Sequence, residues 1–225
     1  MGTVEIINNE IIIFSHIITY GNAANPDITK YIREEIELMW NEPDVSIQIG
    51  SVSCKVRFRI SSACMPEIDP IEIISNTNPA NNYFRIEEFA LGNISFVDGI
   101  GCNTGYFKLE NLYKGSTTAA HEYGHTIGLA HPENTDLRSK GVPGIMYPRG
   151  TIVEPEFQYN PAAAAGDSTN GGTMHPKYRK VLPGDILQLN LHKKHFQNGL
   201  ALLGDFSSVW HPDHKSSNNQ PNINS

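Results

Sequence analysis

His121-Glu122-Tyr123-Gly124-His125-Thr126-Ile127-Gly128-Leu129-Ala130-His131 is the stretch whose reading decides the fold. On a helix His121 and His125, four residues apart, project from one face, where two imidazole nitrogens can ligate one metal ion. Glu122 stands beside them, within reach of a water held at that ion. Gly128 can take a backbone conformation that a Cβ resists, so the chain can leave the helix sharply and bring His131 back to the same point. Three neutral imidazoles suit zinc and leave one coordination position open, which separates a catalytic zinc site from a closed structural one. A lone histidine is ordinarily a surface or satisfied core residue, and His-Glu-x-x-His alone turns up by accident in helices. The added glycine and third histidine favour the metal reading.

Downstream lies Gly144-Ile145-Met146-Tyr147-Pro148, in which Met146 is apolar and flexible. Taken with this turn, the histidine segment resembles the zinc-binding consensus of the metzincin metallopeptidases. Met-Tyr-Pro is similar to the turn of the matrixins, whereas His131-Pro132 is closer to the serralysins, and the subfamily stays open. The resemblance implies an α+β fold, with a twisted mixed β-sheet and two helices in an upper lobe (about 1–130). Below a zinc cleft it implies a smaller irregular lower lobe (about 131–214) with a C-terminal helix. It also implies that His121, His125 and His131 hold one catalytic Zn2+, that Glu122 is the general base, and that Met146 supports the site from beneath. By the same resemblance Tyr147 and Pro148 wall the pocket for the residue after the scissile bond, and Arg149 to Lys180 shapes that pocket's specificity. No matrixin-like pattern of calcium or structural-zinc ligands is evident in Asn93 to Lys114, so calcium stays unknown.

The composition is compatible with these expectations. A chain of 225 residues can bury a sizeable core as one catalytic domain over 1–214, and its hydrophobic fraction of 39% is that of a globular protein. The formal net charge of -7, with no lysine or arginine block, argues against a nucleic-acid partner. No apolar run is long enough to span a bilayer. The expected partner is a protein or peptide substrate, and the expected state a monomer. No signal peptide is visible, so a secreted or extracellularly delivered protein would reach its place by another route, or the chain is an excised fragment. Of three cysteines, Cys54 and Cys64 could close a small loop or stay free, leaving Cys102 as the odd one.

Along the chain, Glu10 to Thr19 reads as a buried strand, and Asp27 offers an N-cap for a helix over Ile28 to Trp40 with Glu34, Glu35 and Glu37 on its solvated face. Strands are expected at Val45 to Ile49, Lys55 to Ile60, Ile71 to Ile74, Tyr83 to Ala90 and Asn93 to Val97. Tyr83 to Phe89 is a candidate sheet edge that could hold extended substrate, against an ordinary paired strand. Ser116 or Thr117 could cap the histidine helix, Asp185 to Phe196 reads as the closing helix, and Lys215 to Ser225 as a disordered tail. His175, His192 and His195 read as loop or solvated-face residues rather than ligands.

The function expected is a zinc endopeptidase that hydrolyses peptide bonds with a metal-activated water and Glu122 as base. Two alternatives stand beside it: a peptidase toxin or effector module of a larger secreted protein, and a catalytically silent zinc-binding interaction domain.

Overall fold

A computed structural model describes residues 1–215. The tail expected from Lys215 onward therefore falls, from 216 to 225, outside the described residues. A curled mixed sheet dominates. Its strands are β1 (Gly2–Ile7), β2 (Glu10–Tyr20), β3 (Ser46–Ile49), β4 (Val52–Cys64), β5 (Asn81–Glu87), β6 (Phe96–Val97), β7 (Thr104–Lys108) and β8 (Leu200–Leu203). The helices are α1 (Pro26–Asn41), α2 (Pro70–Ile74), α3 (Thr118–Thr126) and α4 (Pro183–Gln188). The main path of the sheet runs β3-β4-β2-β5-β7-β6, with β1 also paired to β2 and to β8.

β2 lies at the centre. Its isoleucine-rich run pairs in parallel with β4 along nearly its whole length and, at its C-terminal end, in parallel with β5. A strand buried on both faces needs little polar alternation, and Ile11, Ile13 and Ile17 are fully buried. β5 is itself flanked on its other side by parallel β7. The candidate edge at Tyr83 to Phe89 is therefore interior. Thr104 to Lys108 carries almost no hydrophobic alternation because four of its five residues are buried, and this hid the strand that covers β5. The edge on this side of the sheet is β6, which pairs antiparallel with β7 alone. Only Phe96 and Val97 of the expected strand Asn93 to Val97 are extended in the ladder.

Helix α1 begins one turn residue earlier than the sequence suggests. Asn25, not Asp27, accepts the Ile28 amide at 3.0 Å, since Pro26 needs no amide partner in the first helical position. Ile71 to Ile74 is not a strand. Asp69 caps the Ile71 amide at 2.9 Å and Pro70 starts a helical turn, leaving Ile73 as its buried side chain. The closing helix is shorter than expected: α4 stops before Asn190, whose left-handed φ of 51° turns the chain into a single 3-10 turn at Leu191–Lys193. Residues 200–203, expected with the lower lobe, return to the sheet as β8 beside β1. Cys54 and Cys64 lie ten residues apart on one strand, about 33 Å at strand rise, and all three cysteines are free.

The core that matters for the histidines lies between sheet, α1 and α3. Trp40 of α1 packs on Phe58 of β4 at 5.2 Å and on Tyr123 of α3 at 5.8 Å between ring centroids. Trp40 Nε1 donates to the Ala120 carbonyl at 3.1 Å, and Tyr123 shares a 2.9 Å hydroxyl bond with Ser15 of β2. These contacts fix the rotation of α3 about its axis.

Candidate metal centre

α3 is held at its N-terminus from another element. Thr117, at the cap position, has a left-handed backbone and no capping bond of its own, while Ser116 Oγ accepts the Thr118 amide at 3.2 Å. The Ala120 amide is met at 3.2 Å by Glu35 Oε1 of α1. Glu35 is thus buried rather than on the solvated face. It is placed by the same periodicity as Ile28 and Ile32, on the side of α1 turned to α3. Burial pushes its carboxyl up, while the Tyr31 hydroxyl and the amides of Ala120 and Ala119 act in the other direction. A carboxylate at this end also suits the positive pole of the α3 dipole.

The helix ends where the motif requires. Gly128 has φ +102°, a conformation costly for any residue with a Cβ, and the Gly128 and Leu129 amides close on the carbonyls of His125 and Gly124. The reversal carries His131 to within 3.1 Å of His121 and 3.0 Å of His125, measured between Nε2 atoms. The Nδ1 atoms of His121 and His125 lie 2.6 Å from the Ile145 carbonyl and 2.7 Å from the Leu129 carbonyl. Carbonyls only accept, so each Nδ1 carries the proton and each Nε2 presents a lone pair to the common point. The lone pairs of His121 and His125 both point to His131 Nε2, where a cation could be shared by all three. About 3.3 Å separates neighbouring nitrogens around a tetrahedral zinc with ordinary bonds, and the observed spacing is close to that. The three histidines could therefore hold a metal ion.

Burial keeps the imidazoles neutral. His121 is held well below the usual histidine range and His125 is pushed down to about 4, in both cases chiefly by desolvation. His131, more exposed, is lowered for the same reason and by the nearby Arg179 guanidinium. Glu122 is pushed up to about 8 by burial, against the opposing influence of Arg179, the Val97 amide and Arg149.

The lower side of the site contains Met146, 2% exposed. Its Sδ lies 2.3 Å from where a Cβ on Gly124 would stand, so the glycine between the two helical histidines is what admits the methionine. The sequence reading passed over Gly124, although its place inside the motif was visible. Of Tyr147 and Pro148, only Pro148 lines a cavity beside the histidines. The Tyr147 side chain packs instead with Leu137, Val153 and Met174 of the lower segment.

Two cavities, each of about 290 Å³, meet at the triad. The first is lined by Thr118, Pro148, Arg149 and Arg179, the second by Phe96, Val97, Gly99, Ile100 and His125; both share Ile94, Ser95, His121, Glu122 and His131. A larger hollow of about 500 Å³ beside Asn22, Glu87 and His214 lacks any such group of converging ligands. Arg179 was invisible to sequence reasoning, lying at the end of an irregular connection with no motif around it. His175 stacks on Tyr159 in that connection, and His192 and His195 are exposed, away from the triad.

No protein-family profile and no curated protein matches the chain. Among solved structures, the chain is similar to one described as "Structure of myroilysin", at TM-score 0.30 and 13% identity over 64% of this chain. The similarity spans 60% of that structure's chain, and a likeness of this size does not by itself establish a shared fold.

Proposed function

We propose that this chain is a zinc-dependent endopeptidase of the metzincin type. The observation that carries the reading is the convergence of three Nε2 atoms beside a buried glutamate, in a cleft bordered by a free strand edge. When bound, zinc supplies a Lewis acid for a peptide carbonyl and lowers the pKa of a water toward 7. Glu122 takes the proton of that water as its oxygen bonds to the carbonyl carbon. The same carboxyl then delivers the proton to the amine as the C–N bond breaks. A carboxyl buried beside the triad is placed both to accept the proton and to return it.

In this reading an extended substrate adds to the β6 edge in the antiparallel sense. A peptide added antiparallel to that edge runs opposite to Ile94 through Ile100. Its N-terminal part then lies along Val97, Gly99 and Ile100, and its C-terminal part along Ser95 and Ile94 toward Pro148 and Arg179. Chain is accepted on both sides of the bond, which favours an endopeptidase. In this reading Met146 supports the imidazoles from beneath and Pro148 walls the leaving side.

Glu122→Ala is expected to keep one zinc per chain by elemental analysis and to lose chelator-sensitive cleavage of a peptide library by a factor of about 10² or more. Undiminished cleavage would remove Glu122 from the mechanism. A wild-type protein that binds zinc but shows no chelator-sensitive cleavage would leave the zinc-binding interaction domain as the better reading.

A further inference from the structure

The cavity on the leaving side is built to receive a negative charge. Arg179 is 4% exposed and makes no salt bridge among the described residues; the carboxyls of Glu122 and Glu35 act on it only from beyond ion-pair distance. It donates from Nε to Thr117 Oγ1 at 2.9 Å and from Nη1 to the Tyr147 carbonyl at 3.1 Å, both neutral acceptors. Those two bonds orient the planar group and leave Nη2 without a protein acceptor among the described residues. Thr118 Oγ1, in the same cavity, is buried and has no hydrogen-bond partner at all. Buried hydroxyls in folded proteins are ordinarily paired, so the orphaned Thr118 Oγ1, beside a guanidinium that has no salt bridge, points to a missing acceptor in this cavity. Arg149 stands at the cavity's lip, tied to Asn111 Oδ1 at 3.2 Å, and adds a second positive charge. Glu122, the one carboxylate of the lining, makes no ion pair with either arginine and is occupied by proton transfer in the proposed mechanism.

From this geometry we infer that the leaving-side cavity is an anion subsite that selects a carboxylate on the residue immediately after the scissile bond, bound by Arg179 with Thr118 Oγ1 as co-donor. The inference rests on the peptidase reading for its place in the reaction, and it deepens that reading by naming the substrate class. A guanidinium whose Nε and Nη1 are already held is pre-organised, so little side-chain entropy is lost when the carboxylate arrives. The carboxylate has two sources. It is either the side chain of an aspartate or glutamate within a longer peptide, or the α-carboxylate of a chain that ends one residue after the bond.

The test uses the zinc-loaded wild-type chain and peptides that differ only at the residue after the scissile bond. Aspartate is expected to exceed asparagine by about tenfold or more in kcat/KM, as a charge-assisted hydrogen bond formed in a desolvated cavity would give. A second pair, ending at that position as free acid or as amide, separates the α-carboxylate from the side chain. Arg179→Gln should bring both ratios close to one, and Thr118→Val should reduce them. The metal-free wild-type protein supplies a readout independent of turnover. By fluorescence anisotropy it should bind a labelled peptide beginning with aspartate about tenfold more tightly than its asparagine counterpart. Equal cleavage and equal binding across all pairs overturns the anion subsite, whatever the fate of Arg179→Gln. Absence of cleavage with the binding preference intact removes the peptidase reading and leaves the subsite standing.

Discussion

Arg85 and Arg179 are the two buried arginines among the described residues, 7% and 4% exposed, and they differ in what meets their charge. Arg85 has its charge met within the protein, with only its Nε left unbonded. Its guanidinium pairs with Glu87 at 2.5 Å, donates to the His211 carbonyl at 2.8 Å, and lies over the rings of Tyr20 and Trp210. Arg179 hydrogen-bonds only to a hydroxyl and a carbonyl, and the carboxyls of Glu122 and Glu35 act on it without forming a salt bridge. Burial lowers the Arg179 pKa to about 10, which still leaves it charged at neutral pH. A fold holds an arginine such as Arg85 because its charge is neutralised within the protein. An arginine left open beside a cavity costs stability and is explained more readily by what enters the cavity.

The sharpest way to break the comparison is to remove each charge in turn. Arg85→Met strands Glu87 as an unpaired buried carboxylate, and chemical denaturation should show a loss of about 3–5 kcal/mol. If the loss were under about 1 kcal/mol, the pair would not be the closed counterpart described here.

The next largest effect concerns Glu122 in the metal-free protein. Its folded pKa, about 8, lies above the ordinary value of 4.5, so the stability linked to its protonated form is fully present below about pH 4.5. That stability is lost as pH rises through about 8. Glu122→Gln removes the loss. The variant's melting temperature should exceed that of the wild type by a margin that grows from pH 5 to pH 9, and a margin independent of pH would contradict the burial argument.

Arg179→Met should be milder in stability than Arg85→Met, by about 1–2 kcal/mol, because it leaves a hydroxyl and a carbonyl unmet rather than a charge. A loss as large as that of Arg85→Met would mean that Arg179 is a structural cation after all. The smallest change is expected from Glu35→Gln. It keeps an acceptor for the Ala120 amide, while it removes the charge facing the α3 dipole and turns an amide toward the Tyr31 hydroxyl, about 0.5–1 kcal/mol by thermal unfolding.

What could be read from residues alone was local. The spacing of His121, His125 and His131, with Gly128 between, is a statement about one helix and one reversal, and both are dictated by backbone geometry within eleven residues. The isoleucine run of β2 and the apolar face of α1 were legible for the same reason, since periodicity is a short-range signal. Glu35 was also within reach, because it shares the face of Ile28 and Ile32; the habit of reading acidic residues as solvated obscured it.

Tertiary structure alone decided which strand is the edge, and what stands opposite Glu122. β5 could be read as an edge or as a paired strand until β7 covered it, and β7 has no alternation to announce it because its residues are buried on both faces. Met146 and Gly124 are separated along the chain, and nothing in either residue says that the sulfur fills the space the glycine leaves. Arg179 reaches the site through a long irregular connection whose path is set by packing of Leu137, Val153 and Met174, contacts with no sequence period. Ligands on one helix are specified by local geometry. Their surroundings come from segments distant in sequence, and only folding determines which of those segments meet.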